Sequence, residues 1–242
     1  MHMARGNGAA ATQVEEVRPR ARTRSPAPKN GGSDSGAVDY TPPTRVTIAP
    51  PNLRLVTFTI MGDAPYVQNK FAAKGAIMLA QVEGSTAKNR KKRDPKDFPA
   101  LFKAAQHIAV DGWHGMPAAG FRNSMIRACC LCGYKMTEAK MSVFVIGDGF
   151  DDEGVPLVKM AGKPEMITSH VRNATGVIDI RARPMWKTWS AKIKIRYDAD
   201  QFREQDVANL LSRAGQQVGV GEGRPFSKDS CGMGWGTFIV ES

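Results

Sequence analysis

Residues 219–238, GVGEGRPFSKDSCGMGWGTF, hold six glycines in twenty positions, with Arg224 and Lys228 set among them. No helix or strand runs through so dense a glycine stretch, because glycine loses more conformational freedom on folding than any other residue. One element must therefore end before the stretch and another begin after it. QFREQDVANLLSRAGQQVG (201–219) is the first, a helix whose apolar stripe is Phe202, Val207, Leu210, Leu211 and Ala214. WGTFIVE (235–241) is the second, a closing strand. Between them the glycines serve either a crowded crossing of the backbone or a surface that a partner approaches closely. The residues alone leave both uses open.

The same helix-then-strand order occurs earlier in the chain. NLRLVTFTIMG (52–62) alternates apolar and polar residues and stops at Gly62, which reads as a strand. In MPAAGFRNSMIRACCLCGYK (116–135), Pro117 suits the first turn of a helix and Gly133 its C-cap, while Phe121, Met125, Ala128 and Cys132 share a face. MSVFVIGDG (141–149) reads as a strand ending in a tight turn, residues 150–175 as loop, and 176–198 as two β runs. A short helical stretch is expected around Phe98–His107. The sum is strand, helix, strand, strand, helix, strand, with insertions at 62–116 and 148–176. This predicts an α+β, ferredoxin-like (split βαβ) fold over 46–242: one antiparallel sheet with two helices on one face. Residues 1–45, rich in Ala, Gly, Ser, Pro and Arg, read as a disordered basic arm.

Charge narrows the partner. The chain carries +11 at neutral pH, more than solubility asks for, which favours a polyanion. No apolar run reaches the roughly 20 residues of a membrane span, and the polar, Arg-rich start has no secretory pattern. Cys129, Cys130 and Cys132 crowd together in a pattern useless as a disulfide framework, so a reduced, cytoplasmic setting is expected. Their C-x-x-C has no second pair at a zinc-ribbon distance, and the cysteines read as small core residues. No cofactor and no metal ion are expected.

The glycine loop fits neither familiar nucleotide motif. A dinucleotide fingerprint follows a strand and opens a helix, whereas Gly219, Gly221 and Gly223 follow a helix and lead to a strand; no P-loop G-K-[ST] occurs. Helix, basic glycine-rich loop and last strand instead resemble the RAMP superfamily, the ferredoxin-like proteins of CRISPR effector complexes and RNA processing. VGVGEGRPFSKDSCGMGWGTFIV is similar to that family's C-terminal loop, and GMPAAGFRNSMIRA (115–128) resembles its Pro-led turn into the first helix. The interval between Lys228 and Gly232 and the long first connection depart from the family pattern. The resemblance implies a non-catalytic protein coating single-stranded nucleic acid, RNA ahead of DNA, as a homo-oligomer or filament in a bacterial or archaeal cell; a phage-encoded origin stays open. It places Arg122 and Arg127 near phosphate.

Physical chemistry points the same way without the family: glycine exposes backbone N–H groups to a phosphate chain, and Arg224 and Lys228 add charge there. The expected contacts are Gly219, Gly221, Gly223, Arg224 and Lys228, with Arg122, Arg127 and Arg172. Lys88, Arg90, Lys91, Lys92 and Arg93 form an accessory patch. Trp113, Trp186 and Trp189 are candidate stacking faces; on one strand, Trp186 and Trp189 would face opposite sides. His107, His114 and His170 are the candidate bases if the chain is instead a metal-independent endoribonuclease. A structural or counter-defence protein with a protein partner is a third reading. DGFDDEG (148–154) lacks the calcium-loop pattern and reads as a solvated hairpin tip.

Overall fold

The computed structural model describes residues 47–70, 97–172, 178–226 and 232–241, and its elements all fall in the unit Ala49–Ser242. In chain order they are β1 (Leu53–Gly62), β2 (Tyr66–Val67), α1 (Phe98–Ala104), β3 (Gly115–Pro117) and α2 (Ala118–Ala128). A 3-10 turn (Cys129–Cys132) leads to α3 (Met136–Ser142), β4 (Val143–Ile146), β5 (Gly149–Phe150), β6 (Pro156–Ala161), β7 (Glu165–Arg172) and β8 (Ile178–Trp186). The chain closes with β9 (Ser190–Asp198), α4 (Glu204–Arg213), a π turn (Ala214–Val218) and β10 (Phe238–Val240).

Strand β9 organises the larger sheet. It pairs antiparallel with β1 from Leu53 opposite Asp198 to Met61 opposite Ser190, and β10 adds to the other edge of β1 at Ile60–Gly62. On its far side β9 pairs with β4 through Lys194–Tyr197 and with β6 through Ser190–Ala191. β6 then pairs with β3 and β5. A second antiparallel sheet has the order β2-β8-β7. The chain is thus a mixed α+β protein built on antiparallel sheets, and among the described residues no helix is long and apolar enough to cross a membrane.

Alternation in the sequence sets which side of the sheet is dry. Along β9, Ala191, Ile193, Ile195 and Tyr197 are buried while Lys192 and Arg196 face out. Phe121 and Met125 of α2 and Val207, Leu210 and Leu211 of α4 share one core cluster with Ile60, Ile193 and Ile195. Burying each such side chain is worth roughly 1.5–3 kcal/mol. Asp206 accepts the Arg203 N–H at 3.1 Å and starts α4. Gly133, at φ 71°, ends the turn after α2 as the sequence predicts.

Several expectations need correction. Residues 150–175, read as loop, contain β6 and the first strand of the β7–β8 hairpin; Gly162 and Pro164 break the apolar pattern between them. The strand expected at 141–149 is only four residues long, because Met136–Ser142 is helical and delivers the chain to it. Cys132 is exposed rather than on the core face, since the 3-10 turn advances each residue by more than a helical step; Cys130 is exposed too, while Cys129 is buried. Trp186 and Trp189 are both buried, at 0% and 5% exposure. They flank the turn between β8 and β9, so strand parity does not separate them, and neither offers a stacking face.

Candidate nucleic-acid interface

The glycine loop is held in place by its own backbone. Val220 N–H donates to Gly236 O at 3.0 Å, Glu222 N–H to Val67 O at 2.9 Å, and Gly236 N–H to Pro65 O at 2.7 Å. The two halves of the loop are therefore tied to each other and to the approach to β2. Gly221 stands at φ +81°, where a Cβ would meet a Tyr66 ring carbon and Val67 O, each at 2.6 Å. Gly236, at φ +69°, has no room for a Cβ against Val220 O. Both glycines are required by the fold itself.

What the crossing leaves over is more informative. Among the described residues, the N–H groups of Gly221 and Gly223 have no acceptor. Gly221 lines an open cleft of about 330 Å³, whose opposite wall is Pro117, Gly120 and Phe121 at the start of α2. That helix runs eleven residues, with no side chain capping its first turn and no acidic residue in it. Its unsatisfied N–H groups and dipole favour an anion at that end. Arg224 also lines the cleft, its Nη1 donating to Gly221 O at 2.8 Å. Glu222 is the carboxylate in the cleft wall, and the buried Arg183 neutralises it with Nε at 2.8 Å.

A histidine and an aspartate stand behind this wall. His107, 9% exposed, lines the cleft and shares a 2.9 Å hydrogen bond through Nδ1 with Asp151 Oδ2. The Asp151 carboxyl also accepts the N–H groups of Glu153 at 3.0 Å and Val155 at 2.9 Å, with Lys70 Nζ at 3.4 Å. Burial pushes that carboxyl up, but the His107 bond, the two backbone donors and the Lys70 charge outweigh burial and hold it at about 2. Asp151 is thus an ionised anchor, 2% exposed, not part of a solvated tip. Its charge fixes the imidazole so that the other nitrogen, Nε2, is left without a partner among the described residues.

The sequence-predicted residues divide sharply. Gly221 and Arg224 come together at the cleft, and Gly219 and Gly223 shape the loop beside it. Arg127 projects from the last turn of α2 with its guanidinium 4.0 Å over the Phe226 ring, joining the helix to the far end of the loop. Arg122 does not reach the cleft. It turns to β4, donating to Val143 O at 2.9 Å and to Lys140 O, and lies over Phe144. Two open carbonyls near an edge strand capture the side chain that the sequence assigned to phosphate. Arg172 closes β7 opposite Ile178, with its side chain outside the description. Lys228 and the patch Lys88, Arg90, Lys91, Lys92 and Arg93 lie outside the described residues.

Of the remaining candidates, His170 is exposed on β7 and His114 packs edge-on to Trp186 at 5.8 Å. Trp113 is half-buried with Lys159 Nζ 6.0 Å from its ring. Among the described residues no cluster of His, Cys, Asp and Glu is arranged to hold a metal ion. Sequence reasoning missed Asn69, Gln68 and Asp151. Gln68 is buried and bridges Gly115 O at 2.8 Å and the His107 N–H at 2.8 Å, so it ties β3 to the histidine. The one available signal was the run of polar residues after β2, and it gives no hint of partners about 40 and 80 positions away. No protein-family model and no curated protein sequence matches the chain.

Proposed function

We propose that the protein binds single-stranded nucleic acid, RNA ahead of DNA, with the cleft between the glycine loop and the start of α2 as its phosphate contact. The observation that carries this reading is the meeting of two backbone donor groups at one opening: the Gly221 N–H, which has no acceptor among the described residues, and the uncapped first turn of α2. Arg224 at the same opening and the chain's +11 charge add the long-range attraction a polyanion requires. The ferredoxin-like, RAMP-like part of the reading is supported by the strand order β10-β1-β9-β4, antiparallel throughout, with α2 in the first connection and α4 in the last. That is the order of a split βαβ unit. Preference for RNA and assembly as a homo-oligomer or filament rest on the resemblance of the loop alone.

The test is the salt dependence of binding to a labelled single-stranded oligonucleotide. Each phosphate contact contributes about 0.7 to the slope of log K against log salt for single strands. Arg224→Ala with Lys228→Ala should weaken binding to every sequence alike and flatten the slope by about 1.4. An unchanged slope removes the loop as the contact.

One observation favours a second reading, that of a metal-independent endoribonuclease: the His107–Asp151 pair presents an oriented imidazole to the cleft proposed to hold phosphate. Cleavage of RNA in chelator, lost with His107→Gln and with a 2′-deoxy substitution at the cut, would establish it. Intact RNA after long incubation with the wild type would dismiss it.

A further inference from the structure

The cleft is more than a phosphate cradle. Part of its lining is polar: the start of α2, Gly221, Arg224, Glu222, His107 and the buried Gln68. The rest is apolar: Met116, Phe121 and Val220 line it, all buried and all members of the core cluster, with the Tyr66 ring beside them. A phosphate chain gains nothing from an apolar floor, because a charged, hydrated group resists transfer toward it. A flat heterocycle does gain, and a nucleotide presents both chemistries at this spacing. The volume of about 330 Å³ suits one small ligand rather than a run of chain.

One polar group in the wall is still unaccounted for. Asn69 lines the cleft, half-buried, and its side-chain amide has no hydrogen-bond partner among the described residues, whereas Gln68 beside it is fully engaged. An amide offers a donor and an acceptor side by side. That pair matches the N6 donor and N7 acceptor of adenine, and single strands are read by just such contacts to unstacked bases.

Building on the strand-binding reading above, we infer that the cleft takes one nucleotide of the bound strand with its base inserted, and that Asn69 makes this position prefer adenine. Phosphate sits at the start of α2, the base lies over Met116 and Phe121, and the remaining nucleotides are held through their backbone without regard to sequence.

The probe is the mononucleotide, titrated by calorimetry into the full chain: AMP, UMP and ribose 5-phosphate. AMP should bind about tenfold tighter than ribose 5-phosphate, the size of effect that burying one base brings, and several-fold tighter than UMP. Asn69→Ala should bring AMP and UMP within twofold of each other while ribose 5-phosphate is unchanged. Asn69→Asp, which keeps the size and removes the donor–acceptor pair, should also bring AMP and UMP within twofold of each other, its negative charge weakening all three ligands alike, and guards against a folding artefact. Equal binding of AMP and ribose 5-phosphate, or no binding of AMP, overturns the inference. Strand binding by anisotropy, run in parallel, separates the two proposals. Oligonucleotide binding without any base effect leaves the strand reading and removes the base pocket. Base-dependent AMP binding without strand binding keeps the pocket and removes the strand.

Discussion

Replacing Asp151 by Asn tests the polar anchor behind the cleft. The carboxylate is 2% exposed and accepts from His107, Glu153 and Val155, with Lys70 3.4 Å away. In the folded protein it titrates at about 2 instead of 3.8. At about 1.36 kcal/mol per pKa unit, the ionised form contributes about 2 kcal/mol to folding at neutral pH. The sign follows from linkage. The folded pKa is depressed, so between pH 4 and 2 the unfolded chain takes up the proton first. The contribution is therefore complete above about pH 4 and disappears as pH falls through about 2. Asp151→Asn, which keeps the shape and drops the charge, should be less stable than wild type by about 2 kcal/mol at pH 7. The two proteins should converge toward pH 2. Urea unfolding followed by tryptophan fluorescence at half-unit steps from pH 2 to 7 measures this directly. Parallel stability curves for the two proteins across that range would refute the reasoning, because they would mean that Asp151 titrates normally and anchors nothing.

Two further outcomes are expected. Gly221→Ala places a methyl group 2.6 Å from Tyr66 and Val67 O at φ +81°; left-handed strain of roughly 1–2 kcal/mol and overpacking of about 1–3 kcal/mol should together lower the melting temperature clearly, and a loss below about 0.5 kcal/mol would show that the loop is not packed on β2. Burial pushes the Cys129 thiol up to about 11, so native alkylation at pH 8 followed by peptide mapping should modify the exposed Cys130 and Cys132 and spare Cys129 until denaturant is added.

Legibility followed the range of the interactions involved. β1, α2, β9, α4 and the closing strand were readable because each carries its own period: Ile193 and Ile195 alternate with Lys192 and Lys194, and Val207, Leu210 and Leu211 recur at helical spacing. Gly133 was readable as a cap because a left-handed residue after a helix has a local signature. β6 and β7 were not, since their six and eight residues mix charges into short apolar fragments and gain their definition from pairing with β9 and β8. The site shows the same divide. Arg224 sits inside the glycine pattern, and the structure places it at the cleft; Asp151 acts on His107 from 44 positions away and looked like one more acid in a polar run. Arg122 misled for the converse reason: its sequence neighbourhood suits a phosphate contact, but the carbonyls of β4 and α3, twenty positions on, claim it.

The glycine loop shows why its two sequence readings were never true alternatives. Packing against Tyr66, Val67 and Val220 demands glycine at Gly221 and Gly236 whether or not anything binds. The same left-handed turns spend the N–H groups of Val220, Glu222 and Gly236 on structural bonds and leave those of Gly221 and Gly223 with none among the described residues. A loop in which every N–H was satisfied would be rigid and inert; a loop with none satisfied would be too mobile to present donors at fixed positions. Here the structural bonds hold the Gly221 N–H at the cleft that the start of α2 also lines, the arrangement on which the proposed anion contact rests. Structural necessity at Gly221 is thus the condition for a contact there. It follows that the stability lost by Gly221→Ala and the affinity lost by Arg224→Ala with Lys228→Ala should be separable: the first puts a Cβ into the packed frame, the second removes charge and, from the frame, the Arg224 bond to Gly221 O.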